Sequence, residues 1–310
     1  MTTLPNESLT FLLHQTDMSG RLVRLTDVAQ DLATRQDFPP AVQGLIVEAA
    51  AVAAALRSLL KFQGKLIIQA KGKGPVSMLV AQAEADGGLR ATATVNGERL
   101  AAYGSWPSFY ALMGEGYVAL TLDRGGDFER TQGIVALQKA GFAATLQHYF
   151  DQSDQVSLRL VSGARQAEQG WVAGALVLQR LPRIGGEGAA DSTASGKAYG
   201  ARAGEKLGQE EAAQLQWQAA LALLETLTVG ELCTPDLPST ALLYRLFHEQ
   251  GVRAAEAEPL RRTCVCDRSR FLLALRSLPA EDLTDLFANG PARSTCAFCG
   301  TTFEARAEDL

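Results

Sequence analysis

Four of the five cysteines stand in two close pairs near the C-terminal end, Cys264-Val265-Cys266 and Cys296-Ala297-Phe298-Cys299, and this spacing constrains the fold more than any other feature of the sequence. A CxC and a CxxC supply four thiolates in two pairs, which suits the tetrahedral four-sulfur shell of a closed zinc site. The stretch between the pairs is long enough for two short helices. Gly300, directly after the second pair, lets the chain turn away from a bound ion. His14, His148 and His248 all lie elsewhere, so one zinc ion held by Cys264, Cys266, Cys296 and Cys299 is expected. The tail, roughly residues 254–310, carries few large apolar residues. Metal binding contributes about 10 to 16 kcal/mol in small zinc domains, against about 5 to 15 kcal/mol for the stability of a whole domain. Loss of the ion should therefore unfold the tail.

Two plainer uses of these cysteines stay open at this point: four unliganded thiols packed in a core, and a permanent structural zinc with no switching role. Oxidation offers a third. Zinc holds cysteines as thiolates, the form that oxidants attack, and Arg261, Arg262, Arg268, Arg270 and Arg293 bring positive charge near the centre unless they are simply a solvated face. Once the metal leaves, short loops close at the least entropic cost, so each cysteine pairs within its own motif, Cys264 with Cys266 and Cys296 with Cys299. Cys233, in Glu231-Leu232-Cys233-Thr234-Pro235, reads as a buried residue at a helix end, with a fifth redox partner as the alternative.

Upstream, an α+β domain is expected. Strand patterns edged by Gly, Pro, Asn or Asp run over Arg21 to Leu25, Lys65 to Ala70, Val76 to Gln82, Leu89 to Val95, Tyr117 to Leu122, Gly133 to Leu137, Val156 to Val161 and Trp171 to Gln179. They follow one another across brief turns, which argues for a mainly antiparallel sheet domain. Helical patterns occupy Thr26 to Thr34, Pro40 to Leu60 and Ala140 to Gln152. Pro40 to Phe62 is the most apolar stretch, but Glu48, Arg57 and Lys61 suit a buried helix better than a membrane span. Ile184 to Gly208 is dominated by Gly, Ala, Ser and charge and reads as a flexible insert. Gln209 to Thr228 returns to a helical pattern, with Gln214, Gln216 and Gln218 expected to interrupt its apolar side, and Leu242 to Glu249 is a second amphipathic stretch. The domains expected are a core at 1–183, insert and helical linker at 184–253, and the zinc-binding redox-switch tail at 254–310.

A formal charge of −5 does not favour nucleic acid or an anionic membrane as partner. The first seven residues lack a basic segment followed by an apolar run, so a cytoplasmic location is expected, where a static disulfide framework is unlikely. Gly72-Lys73-Gly74 and Gly114-Glu115-Gly116 lack phosphate-loop spacing and read as turns. No nucleophile elbow or zinc-protease motif is present, so no enzyme is expected.

Taken together, CVCDRSR followed by CAFCG, after LLYRLFHE, resembles the heat shock protein 33 family of redox-regulated chaperones, as do LKFQGKLIIQAKGKGP, GEGYVALTL and TQGIVAL. The resemblance covers nearly the whole chain and implies an ATP-independent holdase. Such a protein is an inactive, zinc-bound monomer when reduced, and oxidants and heat convert it to a disulfide-bonded, dimer-forming chaperone for unfolding clients. Cys264, Cys266, Cys296 and Cys299 match the zinc and switch cysteines, and Gln209 to Arg262 matches the metastable linker. The insert at Ile184 to Gly208 departs from the compact family pattern. If the linker opens, Trp217, Leu221, Leu224, Tyr244, Leu246 and Phe247 become candidates for client binding. The competing readings are a zinc-ribbon-like module for nucleic acid or a protein partner, motivated by the arginines, and a thiol-disulfide oxidoreductase, motivated by Cys296-x-x-Cys299.

Overall fold

The computed structural model describes residues 6–14, 16–59, 64–125, 130–152, 157–181, 203–288 and 290–310. The first elements are β1 (Glu7–Leu13), β2 (Met18–Leu25), α1 (Asp27–Thr34), α2 (Pro40–Leu59), β3 (Lys65–Gly72), β4 (Val76–Glu84) and β5 (Gly88–Val95). After them come α3 (Gly97–Leu100), α4 (Phe109–Met113), β6 (Gly116–Asp123), β7 (Thr131–Ala136), α5 (Phe142–Asp151), β8 (Leu158–Ala167) and β9 (Gly170–Arg180). The linker forms α6 (Ala203–Glu225), α7 (Val229–Leu232) and α8 (Ser239–Phe247). The remainder is β10 (Val252–Ala254), β11 (Glu258–Pro259), β12 (Arg261–Arg262), α9 (Arg268–Arg276), α10 (Ala280–Phe287), β13 (Ala292–Thr295) and β14 (Thr302–Ala305).

The fold is α+β, with two six-stranded sheets. One runs β10-β1-β2-β9-β8, with β11 also on β1, and the other runs β12-β5-β4-β3-β6-β7. Among the described residues every pairing in these sheets is antiparallel except β12 on β5. Helix α2 packs against β2, β8 and β9 on one side and β3, β4 and β5 on the other. Its run of buried alanines, Ala49 to Ala51 and Ala53 to Ala55, lets both sheets approach closely, and Pro40 supplies a first turn that needs no N–H. By length and composition alone α2 could cross a membrane, yet most of its surface is covered by the sheets. Within this layer Ser162 Oγ donates to Glu48 Oε1 at 2.6 Å, and burial raises that carboxyl above its ordinary range.

The two Gly-x-Gly segments are turns packed on each other. Lys73 N donates to Glu115 O and Gly74 N to Met113 O, and a Cβ at Gly72 would fall 2.0 Å from Met113 O. That close approach of backbones, with Gly114 at φ +67, is why glycine stands there.

The second core lies on the outer face of the β1-β2-β9-β8 sheet, where α6, α7 and α8 cover Leu9, Phe11, Leu13, Met18, Leu22, Val172, Leu176 and Leu178. Strand β1 was absent from the sequence expectation, although Leu9, Phe11 and Leu13 alternate with Ser8, Thr10 and Leu12 and point into this core. Two further expectations change. Most of the expected insert lies outside the described residues, but helix α6 begins at Ala203, so its last residues are helical. Gln214, Gln216 and Gln218 do not interrupt the apolar side of α6. They sit on its exposed face, together with Leu215 at 67% exposure, while Ala213, Trp217, Ala220 and Leu224 make an unbroken buried stripe at three- and four-residue spacing.

Candidate redox centre and the docked linker

The two cysteine pairs come together as their spacing requires. Cys264 and Cys266 follow β12, and Cys296 and Cys299 occupy the turn between β13 and β14. The knuckle is closed by Gly300 N donating to Cys296 O and Cys296 N donating to Thr301 O, both at 2.9 Å, with Gly300 at φ +72. All four Sγ atoms lie within 4.8 Å of one another, with separations of 3.2 Å for Cys264–Cys266, 3.7 Å for Cys264–Cys296 and 3.3 Å for Cys266–Cys299. A tetrahedral zinc site with sulfur about 2.3 Å from the metal has sulfur–sulfur edges of about 3.8 Å, so the group could hold such an ion with little adjustment. Packed this tightly, the thiols compete for protons. Burial pushes Cys264 up, hydrogen bonds from Cys264 and Cys299 push Cys266 up, and Cys299, against the opposing effect of burial, is pulled down to about 6 by the Thr301 hydroxyl and N–H. Cysteines bind a soft dication as thiolates, so an ion entering this cluster displaces the protons its sulfurs still hold.

The two helices expected between the pairs are α9 and α10, and the tail's own core is small: Leu275, Ala292 and Ala305, flanked by Phe271, Leu272, Leu283, Phe287 and Leu310. No residue of α10 is buried. The tail also leans on the larger domain. Strand β12 aligns with β5, Thr263 N donates to Leu89 O at 2.8 Å, Gln36 Nε2 donates to Ala297 O, and the Arg90 guanidinium lies 4.5 Å from the centre of the Phe298 ring. The two middle residues of the CxxC knuckle are thus the ones gripped by the core domain.

The five arginines proposed to surround the sulfurs with positive charge are instead engaged one by one. Arg261 pairs with Asp86, Arg262 with Asp31, Arg268 with Asp309, Arg270 with Asp267 and Arg293 with Glu304. They tie the tail to itself and to α1 and the β4–β5 turn. This pairing leaves less charge for the sulfurs, and less for a nucleic-acid face, than the sequence implied.

The linker is keyed into the outer sheet at α7. Gly163 and Gly174 face each other in register on β8 and β9, and a Cβ on them would fall 2.6 Å from Val229 Cγ1 and 2.7 Å from Leu232 Cγ, so α7 sits in a notch that only glycine leaves open. Thr228 and Glu231 form a reciprocal capping box that holds this one-turn helix, and Arg245 of α8 pairs with Glu231 at 3.0 Å. Cys233 ends the helix as a fully buried residue, its Sγ donating to Gly163 O at 3.4 Å, which agrees with the packing role expected of it. Phe247 stacks on Phe11 with ring centroids 5.7 Å apart. Of the candidate client-binding residues, Trp217, Leu224, Leu246 and Phe247 are buried, Leu221 is partly buried, and Tyr244 is already 66% exposed with the linker in place.

The family model described as Hsp33 protein matches residues 6–306. The chain belongs to the Hsp33 family. Proteins named 33 kDa chaperonin are similar to it along nearly their whole lengths. That of Caulobacter vibrioides is 32% identical over 302 residues, covering 95% of this chain and 92% of the relative. The Pseudomonas fluorescens protein is 32% identical over 316 residues, covering 100% and 94%. The crystal structure of the 33 kDa chaperonin, heat shock protein 33 homolog, of Thermotoga maritima superposes with a TM-score of 0.76 at 18% identity, covering 98% of this chain and 96% of that one, and so shares the fold.

This Hsp33-type chaperone carries two structural features that its sequence did not announce. The knuckle grip by Gln36 and Arg90 joins residues more than two hundred positions apart, and the Gly163–Gly174 notch looks like two unremarkable strand glycines until the register sets them side by side.

Proposed function

We propose that this chain is a redox-regulated, ATP-independent holdase, silent when reduced and opened by oxidation and heat to bind unfolding proteins. The observation that carries the reading is the pairing of a four-sulfur cluster in a tail of little core with a linker that covers an otherwise apolar sheet face. Cys264, Cys266, Cys296 and Cys299 would hold one zinc ion, which when bound supplies the cross-link that the tail's small core lacks. Peroxide takes two electrons from each pair of thiolates and leaves as water, forming Cys264–Cys266 and Cys296–Cys299 disulfides and removing the ligand set. The tail, at 254–310, then loses its fold, the Gln36 and Arg90 grip on the knuckle lapses, and β10 to β12 no longer anchor the far end of the linker. Weakly held segments open first. The linker, with its insert at 184–253, leaves the core domain at 1–183, and Trp217, Leu221, Leu224, Leu246, Phe247 and the already exposed Tyr244 become client contacts along with the sheet beneath them. The reduced form acts as a monomer and the oxidised form as a homodimer, in a reducing compartment such as the cytoplasm, with no catalytic turnover and no nucleic-acid or membrane partner.

The test is to treat reduced, zinc-loaded protein with hydrogen peroxide at elevated temperature and to follow zinc release beside suppression of client aggregation. Both should rise together and reverse on thiol reduction. Aggregation suppressed equally before oxidation, or zinc retained throughout, would overturn the switch. Salt-sensitive nucleic-acid binding by the reduced form would favour the zinc-ribbon reading instead.

A further inference from the structure

The sheet face beneath the linker is mostly apolar, and the charged side chain fully buried in it is Arg24, with the partly buried Glu7 directly across on β1. Arg24, on β2, is 0% exposed, yet the acceptors it meets are main-chain carbonyls rather than carboxylates. Its Nη2 donates to Glu231 O at 2.9 Å and its Nη1 to Leu237 O, while Nε is buried without a hydrogen-bond partner among the described residues. Both carbonyls belong to the linker, at the end of α7 and just before α8. A guanidinium is an expensive group to bury, and one that loses its acceptors under an apolar cover costs more. The linker meets this demand at the end of α7, where Glu231 O accepts from Arg24 as well as from Thr234 N, and in the turn before α8, where Leu237 O accepts from Arg24.

We propose that Arg24 is a specificity residue of the opened chaperone: when the linker leaves, its guanidinium pairs with free main-chain carbonyls of an unfolded client segment lying on the vacated sheet. This rests on the chaperone reading above and deepens it by naming what is recognised. The docked linker is the template for the occupant, an apolar segment that turns carbonyls with a lone pair to spare toward the sheet. In a folded protein nearly all buried carbonyls are spoken for, so an apolar patch on a native surface can cover Leu22 and Leu176 but leaves the buried cation unsatisfied. An unfolded segment satisfies both demands. Apolar area alone would attract any sticky surface; the arginine adds a penalty for partners whose backbone is closed.

The experiment compares wild type with Arg24→Met, of similar length and no charge, after peroxide and heat activation. The probes are reduced, carbamidomethylated α-lactalbumin, which is permanently unfolded, and the apolar dye ANS. The expected result is binding of the unfolded probe weakened about tenfold in the variant, for the loss of two charge-assisted hydrogen bonds, with ANS binding equal or higher. Equal or tighter binding of the unfolded probe by Arg24→Met overturns the proposal, because a purely apolar platform gains from that substitution. Circular dichroism and zinc content of the reduced variant check its fold. Should it not fold, Arg24→Lys carries the test: the charge remains but one ammonium does not span both carbonyl positions, so binding weakens about threefold, and unchanged binding overturns the proposal. If activated wild type binds neither probe, the chaperone reading itself fails, whatever the variants do.

Discussion

Cys233 reports linker release without a mutation at the redox centre. In the docked chain its side chain is fully buried, and burial pushes its thiol from 9.0 up to about 12, with Arg24 opposing. In water it returns to its ordinary value, so a drop from about 12 to 9.0 raises the thiolate fraction near neutral pH about a thousandfold. Alkylation by iodoacetamide runs through the thiolate, and steric closure adds to the protection. The perturbation is zinc removal by a chelator at elevated temperature, with a phosphine reductant present so that no cysteine is lost to oxidation. Timed pulses read by peptide mass spectrometry should show Cys233 reacting at least about a thousandfold more slowly in the zinc-loaded protein than in the metal-free one. The docked thiol keeps its proton up to about 12 and the released one only up to 9.0, so this contribution to docking is complete below 9.0 and is lost, about tenfold per unit, as pH rises through that window. Rapid alkylation of the zinc-loaded protein would refute the docked arrangement. Equally slow alkylation of both forms would refute the coupling between tail and linker.

Other outcomes follow from the same contacts. Gly163→Ala forces a Cβ against Val229 in the α7 notch and should weaken docking by about 1 to 3 kcal/mol, read as faster hydrogen exchange in α7 and chaperone activity without oxidant while zinc stays bound. Cys264→Ser leaves an incomplete sulfur set, so zinc content should fall and the tail should lose its near-ultraviolet circular dichroism without oxidant; a rigid tail with full zinc would contradict its dependence on the metal. Arg262 and Asp31, each about a quarter to a third exposed, should show a coupling of about 1 kcal/mol or less in a double-mutant cycle of tail melting, and less at high salt. Arg90→Ala removes the cation above Phe298 and should lower the peroxide dose that releases half the zinc, with the sulfur cluster unchanged before oxidation.

Local signals in the sequence were enough to locate the sulfur cluster and much of the scaffold. Four thiols at two short spacings have few other ways to be satisfied, the two helices between them fit the available length, and Pro40 with its alanine-rich run announces a buried helix. Other elements depended on information that no local window carries. Strand β1 has alternation between Pro5-Asn6 and Asp17, but its place in the fold is defined by pairing with β2, β10 and β11. The glutamines of α6 lie off its buried stripe because that stripe follows Ala213, Trp217, Ala220 and Leu224, two of them small alanines that carry little hydrophobic signal. Nothing in the strand pattern Arg21 to Leu25 marks Arg24, since its partners are carbonyls whose positions only the tertiary fold supplies. The arginines near the cysteines were visible as charge, but their carboxylates lie on α1, the β4–β5 turn and the far end of the tail.

The most direct test of the coupling is hydrogen exchange followed by mass spectrometry during peroxide and heat activation, with zinc release recorded on the same samples. Peptides from α6 to α8 should lose protection on the same time course as the metal leaves, while β3, β4 and β6 of the inner sheet stay protected. Zinc leaving with α6 to α8 still fully protected would contradict the account.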